Sequence, residues 1–310
     1  MLLPVTDTIL RNDEALDAII SPTAAIEKIA GGFLFTEGPL WFREGYLLFS
    51  DIPANKIYRW SGESGVTEFR HPSGYDGTDA PEGAFIGSNG LTRDREGRLV
   101  ICEHGNGRVT RLEHNRKLTV LAHEFDGKRL NSPNDLIYKS DGSLYFTDPP
   151  YGFPLQDEDP KKELSFNGVY RLADGKLDLL LDNLTRPNGL ALSPDEKTLY
   201  LANSDRANKL WMRYDVSDSG ALTNGDVFFD VNSEQADGVP DGLKVDSAGN
   251  VFATGPGGVW IFSPKGQHLG SITLPEIPAN LHWGNDGKSL YMTARTSVYR
   301  IRVNIGGAIL

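Results

Sequence analysis

Cysteine is almost missing from this chain. A single one, Cys102, stands in 310 residues, which excludes an internal disulfide and a cysteine-based zinc site. Its setting in the run LVICEH reads as a small core residue of a strand. Long apolar runs are missing too: no stretch approaches the ~18 residues that a membrane-spanning helix needs. Positive charge is in deficit, with 31 Lys and Arg against 42 Asp and Glu, a net charge of −11. That balance argues against nucleic acid or a membrane surface as a partner, because each requires a basic face. The first twenty residues carry acids where a signal peptide has a basic start and an apolar block. The expectation is a cytoplasmic protein, or a periplasmic one whose leader has been removed. No G-x-S-x-G motif is present to suggest a serine nucleophile on a strand-to-helix elbow.

What the chain has in quantity is turns and β-formers, with 34 Gly, 18 Pro and 39% hydrophobic residues, the composition of a turn-dense β protein. One pattern recurs. RPNGLALSPDEKTLYLAN, from Arg186, reads as two antiparallel strands joined by a tight turn. Versions of it begin with EGPLW at Glu37, SNGL at Ser88, PNDL at Pro133, DGLKV at Asp241 and ANLHW at Ala279. The first leucine of each unit gives Leu40, Leu91, Leu136, Leu190, Leu243 and Leu281, at steps of 51, 45, 54, 53 and 38 residues. Repeats of about 40–50 residues made of short strands are propeller blades. Each unit continues into a third strand (KIYRW, RVTRL, GVYRL, KLWMRYDV, GVWIF, SVYRIRV), and the segments between supply a fourth.

The expected fold is therefore all-β: a six-bladed β-propeller in a single domain over residues 24–310, preceded by an N-terminal arm over 1–23 with weak helical periodicity at Leu16, Ile19 and Ile20. The sixth unit runs short, so the strand near Ile26–Ile29 is expected to complete the last blade from the other terminus, hiding two sheet edges. Two long polar insertions, 70–85 and 151–166, are expected to be loops over one face, where binding groups tend to sit.

In a propeller the first strands line the central channel. The residues opening them are Glu37, Asn89, Asn134, Asn188, Asp241 and Asn280, a side-chain oxygen from every blade. Taken singly, Asn or Asp before Gly is an ordinary turn residue. Glu37 is not a favoured turn residue, however, and Asn134 precedes Asp, so turn chemistry does not account for six of six. Oxygen donors without Cys or clustered His suit a hard cation such as Ca²⁺ or Mg²⁺, and the carboxylates Glu37 and Asp241 would neutralise its charge. Residues ending the second strands lie at the same end of the ring. Among them His104 is placed to donate to a substrate hydroxyl or shuttle a proton, or else to bond to backbone. Asp148 and Tyr151 flank a stiff Pro-Pro loop. His282 points away from the channel donors and reads as core or inter-blade.

The motifs FTEGPLW, SNGL, CEHGNGRVTRLE, NSPNDLIYKSDGSLYFTDPPYG, RPNGLALSPDEKTLY, PDGLKVDSAGNVFATG and ANLHWGNDGKSLYMTA together resemble the SMP-30/gluconolactonase family, over nearly the whole chain from about residue 24. The resemblance implies a six-bladed propeller that binds one divalent cation and hydrolyses sugar lactones. It places the metal on Glu37, Asn188 and Asp241, with Asn134 near or in the shell, and makes Asp241 the candidate general base. Ca²⁺ is the first expectation, with Mg²⁺, Mn²⁺, Zn²⁺ or Fe²⁺ as alternatives. Substrate contacts are expected from Asn134, His104, Asn89, Asp148 and Tyr151. Some animal members carry an Arg where this chain has Ser132, so their sugar contacts do not transfer. The expected partner is a small-molecule sugar lactone, the protein acting as a monomer or small homo-oligomer. Two other readings stand beside this one: a metal-dependent phosphotriesterase or esterase on the same scaffold, and a non-catalytic binding propeller with a structural cation.

Overall fold

Alternating apolar residues in runs of three to nine, punctuated by Gly and Asn turns, give strands that pair with their sequence neighbours, and the result is six antiparallel sheets around a central channel. The computed structural model describes residues 8–308. Blade one is Thr36–Phe42, Tyr46–Asp51, Lys56–Ser61 and Gly65–Arg70; blade two is Ser88–Arg93, Leu99–Glu103, Arg108–Leu112 and Leu118–Ala122. Blade three runs Leu136–Tyr138, Leu144–Asp148, Gly168–Ala173 and Lys176–Leu181, and blade four Pro187–Leu192, Thr198–Asp205, Asn208–Val216 and Leu222–Asp230. Blade five is Leu243–Val245, Val251–Gly255, Gly258–Phe262 and His268–Ile272. Blade six takes Pro278–Gly284, Ser289–Ala294 and Ser297–Arg302 from the C-terminal end and Ile26–Gly31 as its outer strand. The closure expected from the short sixth unit is thus present, and both terminal sheet edges are paired.

The arm adds a strand that periodicity did not disclose. Ile9–Arg11 pairs with His268–Ile272 as a fifth strand of blade five, and the single turn Leu16–Ile19 lays Leu16 and Ile20, both fully buried, against Phe252, Ile261 and Trp283. Residues 1–7 of the arm lie outside the described residues. A two-stranded hairpin, Glu124–Phe125 with Lys128–Arg129, is inserted between blades two and three. No helix among the described residues is long and apolar enough to cross a membrane. Cys102 is buried in the second strand of blade two. His282 lies between blades six and one, its Nδ1 3.5 Å from the Trp41 N–H.

The channel ends of the first strands are irregular in a repeated way. Pairing register shifts between Glu37 and Leu40, Ser88 and Leu91, Pro187 and Leu190, and Pro278 and Asn280. These are β-bulges, the device that re-aims one side chain without ending the strand. Glu37, Asn89, Asn188 and Asn280 therefore sit inside their strands rather than ahead of them. The glycine after each donor is not explained by turn geometry, since of Gly38, Gly90, Gly189 and Gly242 only Gly38 has a positive φ. It is explained by the next blade. A Cβ on Gly38 would stand 2.1 Å from Asn89 O, on Gly90 2.5 Å from Asn134 O, on Gly189 2.3 Å from Asp241 O, and on Gly242 2.2 Å from Asn280 Cγ. Each glycine lets the neighbouring donor residue close up, so the ring of oxygens is assembled by backbone contact. Hydroxyls of second strands fasten the same joints: Ser50 Oγ donates to Asn89 O, Thr147 Oγ1 to Asn188 O and Thr254 Oγ1 to Ala279 O, at 2.8–2.9 Å.

Candidate metal centre and substrate cavity

A cavity of about 290 Å³ opens at the bulged end of the channel. Its wall includes Glu37, Asn89, Asn134, Asn188 and Asp241 from five blades, with His104, Tyr151 and Ser204 beside them and Phe35, Ile52, Phe85 and Val239 as apolar surface. Both long insertions contribute, 70–85 through Phe85 and 151–166 through Tyr151 and Gln156. All four residues that the resemblance assigned to the metal are thus brought to one wall. Of the expected substrate contacts, Asn134, His104, Asn89 and Tyr151 are on it.

Glu37 is 2% exposed. Its Oε2 accepts from Gly38 N–H at 2.5 Å and from Asn280 Nδ2 at 3.1 Å. Burial and the nearby Asp135 push its carboxyl up to about 7, against the pull of the Gly38 N–H, the Asn280 amide and Lys244. Asp241, held by its N–H to Thr254 O at 3.1 Å, is pushed well above the usual carboxylate range by burial and by Glu37 and Asp135. Two buried carboxyl groups raised in this way, with Asp135 acting on both, are costly as anions unless a cation joins them. Among the described residues no group of three or more His, Cys, Asp or Glu side chains is arranged to hold a metal. The donors here are two carboxylates and two amides, an all-oxygen set that fits a hard divalent cation rather than a soft one.

Below the wall lies a network that the sequence reading missed. Asn280 completes the six-blade set, but its amide turns to the other donors, bridging Glu37 Oε2 and, at 3.3 Å, Asp135 Oδ2. Lys244 Nζ stands 3.6 Å from the same Asp135 oxygen and donates to Leu243 O at 3.0 Å. Asp135 occupies the place that glycine takes in most other blades, and that exception was the available signal. Ser204 follows Asn203 as His104 follows Glu103, a parallel visible in the repeat, and Arg206 stands two residues further along the same wall.

Asp148 is a correction. It is not on the cavity wall; it is fully buried behind it, with Oδ2 accepting from Asn131 N–H at 2.8 Å. The same arrangement recurs in blades one and four, where a residue at the end of the second strand ties down the loop that precedes the first strand. Asp51 accepts from the N–H groups of Leu34 and Phe35, and Asn203 from that of Arg186. Burial pushes the Asp148 carboxyl up to about 7 from an ordinary 3.8, despite the Asn131 N–H and Arg129. A raised folded value means its contribution to stability is complete below about pH 4 and is lost as pH rises through about 7, on the order of a few kcal/mol. Asp148→Asn is expected to flatten this part of the melting-temperature profile in divalent-loaded protein. An unchanged slope would show that Asp148 stays ionised throughout.

His104 is 1% exposed, and burial pushes its pKa down to about 4. Nδ1 faces Phe85 O at 3.2 Å, and Nε2 faces Asn89 Nδ2 at 3.2 Å. A neutral ring bonded on both sides has no proton free for a shuttle near neutral pH, so that part of the expectation gives way to the backbone-bonded alternative. Tyr151 is kept protonated by burial and by the Asp241 charge, and it lies beside the Ser204 and Asn188 side chains.

Residues 35–296 match the profile of the SMP-30/Gluconolactonase/LRE-like region. The chain is 41% identical over 304 residues to a gluconolactonase of Zymomonas mobilis, covering 94% of this chain and 85% of that protein. It is 26% identical to a pentonolactonase of Haloferax volcanii, over 83% of this chain and 80% of the relative. A solved Xanthomonas campestris structure, described as a gluconolactonase, superimposes with a TM-score of 0.84 at 31% identity, covering 98% of this chain and 97% of that one. The match across all six blades makes this chain a member of the SMP-30/gluconolactonase/LRE-like family.

Proposed function

We propose that this protein is a divalent-metal-dependent hydrolase that opens sugar lactones. The observation that carries the reading is the meeting of Glu37, Asn134, Asn188 and Asp241 on one wall of a cavity of about 290 Å³, in a chain whose relatives include lactonases of more than one sugar size. Glu37, Asn134, Asn188 and Asp241 would hold the cation, with Ca²⁺ first among the candidates. When bound, it supplies Lewis acidity toward the lactone carbonyl.

The chain's own residues do the rest. Asp241 takes a proton from the attacking water through a carboxylate oxygen not engaged elsewhere, the water oxygen bonds to the carbonyl carbon, and the ring C–O bond breaks. The departing ring oxygen takes up a proton, and the product is the open hydroxy acid. Tyr151, protonated at neutral pH, is a donor at the wall, and Phe35, Ile52 and Phe85 exclude water from one side of the substrate. Ser204 donates its hydroxyl to Pro240 O rather than to a histidine, an arrangement that favours attack by water over an acyl-serine route.

The test is a panel of aldonolactones, one phosphotriester and one simple aryl ester, each assayed against Ca²⁺, Mg²⁺, Mn²⁺ and Zn²⁺ after chelation. Turnover of aldonolactones that depends on the added ion is expected. Preference for the phosphotriester would replace the substrate class, and turnover indifferent to chelation would remove the cation.

A further inference from the structure

Phe85, His104 and Asn89 form a run of hydrogen bonds from the rim loop to the cavity wall. A carbonyl oxygen can only accept, so the His104 nitrogen facing Phe85 O at 3.2 Å must carry the proton. In the neutral ring Nε2 is then an acceptor, and the group 3.2 Å from it has to be a donor. That decides which way the Asn89 amide is turned: its NH₂ meets the histidine and its Oδ1 is left over. Asn89 is 4% exposed and Oδ1 has no partner. Of the residues that carry such a buried, unpartnered side-chain atom among the described residues, Asn89 is the one that lines the cavity. The surfaces sharing that wall are Phe35, Ile52 and Phe85, the two phenyl rings edge-on with centroids 5.0 Å apart.

We propose that Asn89 Oδ1 is a fixed acceptor for a ring hydroxyl of the substrate, with His104 as the positioning residue that holds the amide in this orientation. The inference builds on the lactonase reading and names the wall atom that reads a ring hydroxyl of the sugar lactone. A buried acceptor beside apolar surface is costly when unmet; a substrate O–H satisfies it, and a bare methylene leaves it stranded. The Phe and Ile side chains on the same wall suit the C–H faces of a sugar, and the Asn89 amide carries no charge to draw a cation as the carboxylates of Glu37 and Asp241 do.

The experiment compares kcat/KM for glucono-δ-lactone and for δ-valerolactone, which share a six-membered ring and differ in hydroxyls, in wild type, Asn89→Ala and His104→Phe. The wild-type preference for the hydroxylated ring is expected to fall about 10- to 100-fold in Asn89→Ala, chiefly through KM. A smaller fall is expected in His104→Phe, where the freed amide can rotate. Imidazole nitrogen NMR, with His104→Phe assigning the signal, is expected to show the neutral Nδ1–H form between about pH 6 and 8. An Nε2–H form, or a ring titrating near its ordinary value, overturns the relay. A preference unchanged in Asn89→Ala overturns the proposal, and divalent-ion affinity lost at the same time, read by calorimetry, would move Oδ1 to the cation. A wild-type protein that opens neither lactone overturns the functional reading and the hydroxyl assignment together, while the nitrogen shifts still decide the orientation of His104.

Discussion

Asp241→Asn is expected to lower kcat on an aldonolactone by about 100- to 10,000-fold, the range for loss of the general base proposed above. The substitution is isosteric, and the backbone that positions it is untouched: the N–H still bonds Thr254 O, and the carbonyl still seats against Gly189. Loss of rate therefore reports chemistry rather than unfolding. A second measurement separates the two further. Burial, Glu37 and Asp135 all disfavour the Asp241 carboxylate, so a neutral amide in its place removes that cost, and the variant is expected to melt at or above the wild-type temperature in chelator. Full activity in Asp241→Asn would remove the residue from the mechanism, and a large drop in melting temperature would mean that its carboxylate serves the fold.

Glu37→Gln is expected to weaken divalent-ion binding by at least about 100-fold, because one of two anionic donors becomes neutral while the others remain. Turnover should fall at low ion concentration and recover in large part at high concentration, a recovery that Asp241→Asn should not show. The glutamine carbonyl can still accept from the Gly38 N–H and the Asn280 amide, so the bulge is expected to survive. The pH dependence has a definite sign. In the ion-free protein the Glu37 carboxyl is pushed up to about 7 from 4.5; its contribution to stability is complete below about pH 4.5 and disappears as pH rises toward 7. A bound cation favours the ionised form and opposes that loss. The melting-temperature gain from adding the ion should therefore grow from about pH 5 to 7 in wild type and grow less in Glu37→Gln. Equal gains in both proteins at all pH values would place the ion elsewhere.

The donors of the site were legible because they recur. Glu37, Asn134, Asn188 and Asp241 occupy the same place in their repeats, and a closed ring brings equivalent places together. Equivalence placed Asp148 and His104 at the correct end of the ring but carried no word on their partners, so it misplaced Asp148 and left the two roles of His104 undecided. Asp148 turns inward to an N–H of its own loop, and His104 is bonded on both nitrogens. The glycines that follow the donors serve the close approach of the next blade, a role that a local turn motif does not show.

By itself, then, the sequence determined the number of blades, the strand that closes the ring and the ring position from which oxygens converge. Period and polarity are properties of short stretches, and they survive without knowledge of neighbours. Tertiary structure alone decided how the site is wired. Asn280 reaches Glu37 across 243 residues and Asp135 across 145, Lys244 faces Asp135 from another blade, and Ile9–Arg11 finds its sheet edge at the far end of the chain. A buried polar side chain takes whatever partner the folded chain delivers, and ring closure delivers partners that no local pattern encodes.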